Sequence, residues 1–549
     1  MKKLNRRHFL AATPGFLALP ALLWQKPETI LYNGNFITVD PMKPRAEAIA
    51  ISHQHILAVG SNKEIKALSG GNTQMVDLGG STVTPGFIDA HSHPGSAGRS
   101  HLFNVDCDLR SIKEIQDAIR ERAAATPKGE VIQGFKYDDT KTKEGRFLHR
   151  KDLDLAAPDH IVIITHRGGH SMYVNTLAFK KAGITASSKS LAGGEYVVKN
   201  GELTGQILEN AAAPFRRMLQ RPERKDYVAG AEAISNMLAK AGITSVTDAG
   251  GSPYDLEAYH SAHAQGLLKT RVYCHIRYPH LDKMINAGVK SGFGNEWVRV
   301  GAMKTGIDGS ISERTARLSQ PYIGRPDDYG ILTSSPEQLY EQCKKAHEAG
   351  WQIGVHANGD IGIDITLGVY EKLMEESPRK DPRFRLEHCT VINPELVQRI
   401  KALNAIPCPF STYVYFHGEK MKEYGAERLN QMFAVRSFLD AGIMVNQTSD
   451  YPPGPFEPLM AIQSSVTRTD YKGTLWGPKQ KVSVEEAIKV GTLHGAYASF
   501  EEDIKGSITP GKLADLTVLD KDITKIDPFA IMDCKIERTM VGGRWVYES

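Results

Sequence analysis

The chain has 549 residues, more than one ordinary hydrophobic core can accommodate, so one large domain with smaller companions is expected. Its 41% hydrophobic and 24% charged residues exclude wholesale disorder, and a formal net charge of +4 over this length argues against nucleic acid as a partner. Six scattered cysteines (Cys107, Cys274, Cys343, Cys389, Cys408 and Cys534) form no CxxC pair and read as buried thiols, which excludes a disulfide framework or a zinc knuckle.

Taken in chain order, residues 1–27 open with Lys2, Lys3, Arg6 and Arg7 ahead of an apolar run broken by Pro14, Gly15 and Pro20. That run is too short and too punctuated to span a bilayer. Asn5-Arg6-Arg7-His8-Phe9-Leu10 resembles a bacterial twin-arginine signal, so a periplasmic or otherwise exported protein is expected, with the twin-arginine machinery as a partner. A basic N-terminal helix or an uncleaved anchor is the competing reading. Residues 28–83 carry short strands, with a hairpin expected at Asn33-Gly34 and a strand pair around Ser52-His53-Gln54. Residues 501–549 carry strands of the same kind, around Leu513–Leu519 and Arg538–Val546. Neither end alone can bury a sheet face, so one composite β-sandwich built from both termini is expected.

Between them, residues 84–500 alternate apolar strands with helical segments, the mark of α/β folding around a parallel sheet. Eight candidate strands end near His93, Asp248, His275, Lys304, His356, His388, Ser411 and Asp450, which predicts a distorted (β/α)8 TIM barrel. Two of the helices are expected over Tyr227–Ala241 and Pro336–Ala349, ending at Gly242 and Gly350. The long interval after the first strand, residues 96–223, has strands of its own and reads as an α/β subdomain inserted on the face that shapes substrate access.

The strand ends carry the chemistry. His91 and His93 are two residues apart on a strand, so both imidazoles share one face and can reach one ion. Asp89 is placed to orient a ligand. His356 and His388 each end an apolar strand, and Asp450 ends the last one, where a carboxylate can bind metal and take a proton from bound water. Lys304 in the same mouth would be repelled by a dication. Either its pKa is depressed, or it pairs with Asp308, or it carries a CO2-derived carbamate; the carbamate is the reading adopted here. His170 is a candidate for an oxyanion or substrate contact, with a structural histidine as the alternative. Arg167, Tyr137, Asp138, Asp139 and Arg314 are candidates for substrate contact, and ordinary structural pairing is the bland reading for Arg314 and Arg317.

These residues resemble a family. Pro85-Gly86-Phe87-Ile88-Asp89-Ala90-His91-Ser92-His93, the strand-end histidines, the final Asp450 and the tail Lys505–Asp520 look like the amidohydrolase superfamily. Met303-Lys304 through Ser310, His356-Ala357-Asn358-Gly359-Asp360 and Gly169–Asn175 resemble its YtcJ-like branch (amidohydrolase family 3), which includes N-substituted formamide deformylases. The resemblance implies that His91, His93 and Asp450 bind one metal, that Lys304 bridges, and that His356 and His388 bind a second. Zinc is the expected ion, with manganese or iron as alternatives and the nuclearity open. The expected activity is hydrolysis of a C–N bond in a small amide, formamide or cyclic amide. Ester, lactone or phosphoester hydrolysis on the same site is the alternative enzyme reading, and a periplasmic binding protein the non-catalytic one. The oligomeric state is open, a homodimer among the options.

Overall fold

The computed structural model describes residues 26–191, 193–219 and 222–549. The twin-arginine-like motif Asn5–Leu10 lies outside the described residues. Among the described residues no helix is long and apolar enough to cross a membrane.

The two ends of the chain share a sandwich of two sheets. One runs in the order His55–Gly60, Ala48–Ser52, Thr29–Tyr32, Gln74–Asp77. The other runs Arg544–Glu548, Ile536–Val541, Leu516–Leu519, Thr82–Pro85, Asn35–Ile37, Arg45–Ala46. The termini meet where Thr82–Pro85 pairs antiparallel with Leu516–Leu519, Leu516 facing Pro85. Leu31, Phe36, Val83, Leu516 and Met540 fill the interior, while Ile30 packs on the opposite face with Ala48, Ala50 and Ile65. Both faces of Thr29–Tyr32 are therefore covered, which is why it reads as an apolar run rather than an alternation.

The expected hairpin at Asn33-Gly34 does not form. Thr29–Tyr32 pairs with Ala48–Ser52 and Gln74–Asp77, whereas Asn35–Ile37 pairs with Arg45–Ala46 and Thr82–Pro85 in the other sheet. The turn carries the chain between sheets, and the Asn33 amide is taken by Asn62 Oδ1 at 2.8 Å instead of a cross-strand partner.

Seven parallel strands make the barrel wall: β1 (Phe87–Ser92), β2 (Ile243–Gly251), β3 (Arg271–Arg277), β4 (Val298–Gly306), β5 (Ile353–Ala357), β6 (Arg385–His388) and β7 (Ile406–Cys408). Their order is sequential and their C-terminal ends share one mouth. The eighth position is filled by an extended segment without a continuous ladder. It closes the ring through Ser411 N–H to Thr448 O (2.9 Å) on one side, and Ala90 N–H to Gln447 O (3.0 Å) and Asp450 N–H to His91 O (2.8 Å) on the other. The seventh strand ends at Cys408, short of the expected Ser411.

The helices outside the barrel start and stop on local signals. Pro336–Glu348 begins behind Ser335, whose hydroxyl accepts from the Gln338 amide in a capping box, and is followed by Gly350 at φ +78°. Arg224–Lys240 starts earlier than the apolar pattern suggested, because Glu223 and Asp226 form a capping box ahead of it, and Gly242 follows at φ +84°.

Between β1 and β2 lies an inserted subdomain built on a six-stranded mixed sheet. Its order is Gly194–Lys199, Glu202–Glu209, Ser171–Val174, Ile161–His166, Val131–Tyr137, Val105–Asp106. Two cores flank it, one around Ile115, Ile132 and Leu153, the other around Ile163, Phe179 and Phe215. Val131–Tyr137 and Ile161–His166 run parallel, so their adjacent ends deliver Arg167 and His170 to a cavity of about 1310 Å3 above the barrel mouth.

Candidate metal centre

The end of β1 turns His91 and His93 toward the mouth, and the ends of β5, β6 and the closing segment add His356, His388 and Asp450. Ligand atoms of His91, His388 and Asp450 lie within 4.8 Å of one another in a buried group. Asp450 Oδ1 is 3.3 Å from His91 Nε2 and 3.0 Å from His93 Nε2. The His388 ring stands 4.7 Å from that of His91 and 4.5 Å from that of His356, centroid to centroid. Backbone strain marks the same place: His388 and Asp450 both adopt left-handed φ, +74° and +53°.

Three atoms of this group are buried and make no hydrogen bond: His91 Nε2, His388 Nδ1 and Asp450 Oδ1. Buried polar atoms are almost always satisfied, so two imidazole nitrogens and a carboxylate oxygen left facing one another fit a divalent cation. The outer partners fix the ring orientations. Glu387 Oε2 accepts from His91 Nδ1 at 2.5 Å, which leaves Nε2 as the free nitrogen, and Arg385 holds Glu387 Oε1 at 2.6 Å. Asp89 takes the amides of His91 (3.4 Å) and Ser449 (3.0 Å) and the Ser449 hydroxyl (2.5 Å), tying β1 to the segment that carries Asp450. His388 stacks on Phe410 at 4.4 Å.

The electrostatics of three imidazoles suit ligation, whereas at His91 burial and Lys304 are outweighed by Glu387 and Asp450, which raise it. Burial, helped by neighbouring His356, holds His388 well below the ordinary imidazole range, and burial with Lys304 pushes His356 down to about 3. Burial also lowers His93. All three are neutral at physiological pH, the form that binds metal. Burial alone would raise Asp450, but His388, His91 and His93 hold it well below the usual carboxylate range. Burial pushes Lys304 down to about 8, with Arg277 and Arg385 adding to the shift and Glu387 and Asp450 opposing it.

Lys304 forms no ion pair with Asp308. That carboxylate is occupied by the backbone amides of Asn358 (2.9 Å), Gly359 (2.8 Å) and Arg317 (3.0 Å), which shape the loop after β5. His356 Nε2 sits 3.0 Å from Gly309 O. His170 lies on the cavity wall with its ring 5.8 Å from that of His356 and Nδ1 2.9 Å from Glu209 Oε2. Burial would lower His170, but Glu209 outweighs it and raises the imidazole to about 9.

Several residues expected at the substrate are engaged elsewhere. Tyr137 is fully buried in the insertion core, its hydroxyl donating to Arg146 O (3.0 Å) and accepting from the Leu148 amide (2.9 Å). Asp139 pairs with His166 Nε2 at 3.4 Å, and Asp138 with Lys420 at 3.2 Å, away from the cavity wall. Arg314 is held by Glu423, and Arg317 donates to Gly330 O at 3.1 Å. Arg167 does line the cavity, but its charge is met by Asp108 and it donates to Pro452 O at 3.1 Å. Glu387 and Arg385 are orienting groups beyond those expected from the sequence, and two charged residues in an otherwise buried strand are the signal of such an internal ion pair. Glu209 had no such signal. The six cysteines are all buried and unpaired.

The sequence profile described as "Amidohydrolase family" matches residues 74–547. The chain is 30% identical over 538 residues to YtcJ of Bacillus subtilis (strain 168), covering 94% of this chain and 99% of that protein. It is 28% identical to the N-substituted formamide deformylase of Arthrobacter pascens, over 95% of this chain and 99% of the relative. Among solved structures, an uncharacterized metal-dependent hydrolase from Pyrococcus horikoshii OT3 superposes with a TM-score of 0.74 at 26% identity, covering 91% of this chain and 99% of that one. The profile's span and the near full-length relatives establish that this chain belongs to the amidohydrolase family.

Proposed function

We propose that the chain is a metal-dependent hydrolase of a C–N bond in a small amide, N-substituted formamide or cyclic amide, using water as the second substrate. One observation carries the metal site: His91 Nε2, His388 Nδ1 and Asp450 Oδ1 are buried without a hydrogen bond, in three residues whose ligand atoms lie within 4.8 Å of one another. His91, His93 and Asp450 would hold one ion and His356 and His388 a second, in one shared pocket. Zinc suits this imidazole and carboxylate set, and manganese or iron would also fit. Bound metal supplies an activated water at neutral pH and polarises the scissile carbonyl.

The remaining work falls to side chains. Asp450 takes the proton released as water adds to the carbonyl carbon, then delivers it to the leaving nitrogen as the C–N bond breaks. The products are a carboxylic acid (formate, for a formamide) and an amine. His170, protonated beside Glu209, is a charged donor for the developing oxyanion. Lys304 is proposed to carry a carbamate. Its depressed pKa raises the fraction of free amine, which is the form that adds CO2. An exported location is proposed from the twin-arginine-like Asn5–Leu10.

Metal analysis and turnover on a panel of formamides, amides and esters test the reading together. Protein produced with bicarbonate and zinc is expected to hold about two ions per chain and to lose amide turnover on chelation. Lys304→Ala should lower the ion count. Metal-loaded protein that turns over esters but no amide or formamide would reject the C–N assignment, and about one ion per chain unaffected by Lys304→Ala would reject the bridge.

A further inference from the structure

The cavity above the metal centre is rich in cations, and several are neutralised within the protein. Arg99 pairs with Asp255 at 2.7 Å, Lys136 with Asp106 at 2.7 Å, and Arg167 with Asp108. Arg277 and Arg216 are different. Both line the cavity, and among the described residues neither side chain has an ion pair or hydrogen bond. Glu209 acts on Arg216 but is engaged by His170 Nδ1 at 2.9 Å.

Arg277 is placed by the barrel itself. It ends β3 directly opposite Lys304 in the parallel register with β4, so both side chains leave the wall on the same side. A methyl group on Gly250 would come within 2.6 Å of His93 Nδ1 and 3.6 Å of an Arg277 Nη, so the guanidinium and a metal-site imidazole border the same small space. Glycine at 250 keeps that space open. The charges of Arg277 and Arg216 also act on one another unfavourably. Two guanidiniums facing one cavity, neither in an ion pair and the nearby Glu209 shared with His170, form a ready receptor for an oxyanion.

We propose that Arg277, supported by Arg216, is a specificity determinant that binds an anionic oxygen group of the substrate, so that the amide hydrolysed carries a carboxylate, or a phosphonate of the same reach, close to its scissile bond. The inference rests on the C–N hydrolase reading for its substrate class, and on the barrel register for its geometry. The guanidinium forks two N–H donors onto the anion and orients the amide carbonyl toward the metal ligands.

The test compares three formamides that differ in one group: an N-formyl amino acid, its phosphonate analogue and its neutral carboxamide. Metal-loaded wild type should prefer an anionic member in kcat/KM. Arg277→Gln should erase about 10- to 100-fold of that preference, mainly through KM. Arg216→Gln should erase less, and Arg122→Gln, on the same wall but bonded to Phe103 O, should leave the preference unchanged. The two anionic arms tell carboxylate from phosphonate. A wild-type preference for the carboxamide overturns the proposal. Equal loss on all three substrates with falling metal content also overturns it, because Arg277 would then be supporting the metal centre. If none of the three is turned over, calorimetric binding of the N-formyl amino acid to metal-loaded protein still reads the site. Weakening by Arg277→Gln supports the anion receptor even as the C–N reading fails, and equal binding ends it.

Discussion

Two buried polar groups in this molecule look alike by composition and differ in what they lack. His91, His388 and Asp450 converge at the barrel mouth, and Asp138, Asp139 and His166 converge where the insertion meets the barrel loops; in each, three potential ligand atoms fall within 4.8 Å. At the mouth, one atom from each residue is buried without a partner. At the insertion, Asp138 has Lys420 at 3.2 Å and His166 has Glu313 at 2.6 Å. The second group already contains its cation, supplied covalently as a lysine ammonium. A dication placed beside that ammonium would be repelled. Proximity of ligand types is therefore a weak criterion for a metal site, and an unmet electrostatic demand is the stronger one.

The comparison breaks most sharply on activity. Asp450→Asn keeps the size of the side chain but removes the proposed base and a proposed anionic ligand. Turnover of the best formamide or amide should fall about 10³-fold or more, with the circular dichroism spectrum unchanged. Retention of more than a tenth of wild-type kcat would mean that Asp450 neither moves the proton nor holds the ion. At the other group, Asp138→Asn should leave metal content at the wild-type value and act on stability instead. It strands Lys420 and His417, 3.2 Å and 3.6 Å away in a buried setting, at a cost of about 3 kcal/mol. An earlier urea transition with full metal content is the expected result. A lower ion count in the purified variant would place a second metal at the insertion and undo the contrast.

Legibility followed the range of the interactions. The strand-end histidines could be read because apolar strands, HxH spacing and the stop after Asp450 are all local. The closing segment could not be read as irregular, since its departure from a ladder comes from side chains meeting distant groups: Thr448 Oγ1 donates to Pro409 O at 2.8 Å and Ser449 to Asp89 at 2.5 Å. The substrate contacts failed for the same reason. Arg314 is occupied by Glu423, and Lys420 reaches Asp138 from the short helix Gly418–Met421, 282 residues away in sequence. Tyr137 ends a strand of the insertion much as His91 ends one of the barrel, yet it faces a core rather than the mouth. Sequence position at a strand end identifies who can reach a mouth, and only the partners decide who does.

The smallest expected effect is a pH slope that belongs to the insertion alone. Burial would depress His166, but Glu313, Asp139 and Asp138 outweigh it and raise the imidazole to about 9 from its ordinary 6.5. Between those values the folded protein holds a proton that the unfolded chain has released. Stability from this group is thus complete below pH 6.5 and lost as pH rises toward 9, at no more than about 1.4 kcal/mol per pH unit. His170, raised to about 9 beside Glu209, adds a component of the same sign. The midpoint of thermal unfolding should fall less steeply across that window in His166→Gln than in wild type, and less steeply again when His170→Gln is added. Asp138, held far below the carboxylate range, titrates in acid, whereas Lys304, pushed down to about 8, contributes with the opposite sign at the top of the window in all three proteins. A wild-type slope no steeper than that of His166→Gln would mean that His166 is neutral in the folded state. The insertion network would then carry its internal cation charge on Lys420 without a contribution from His166.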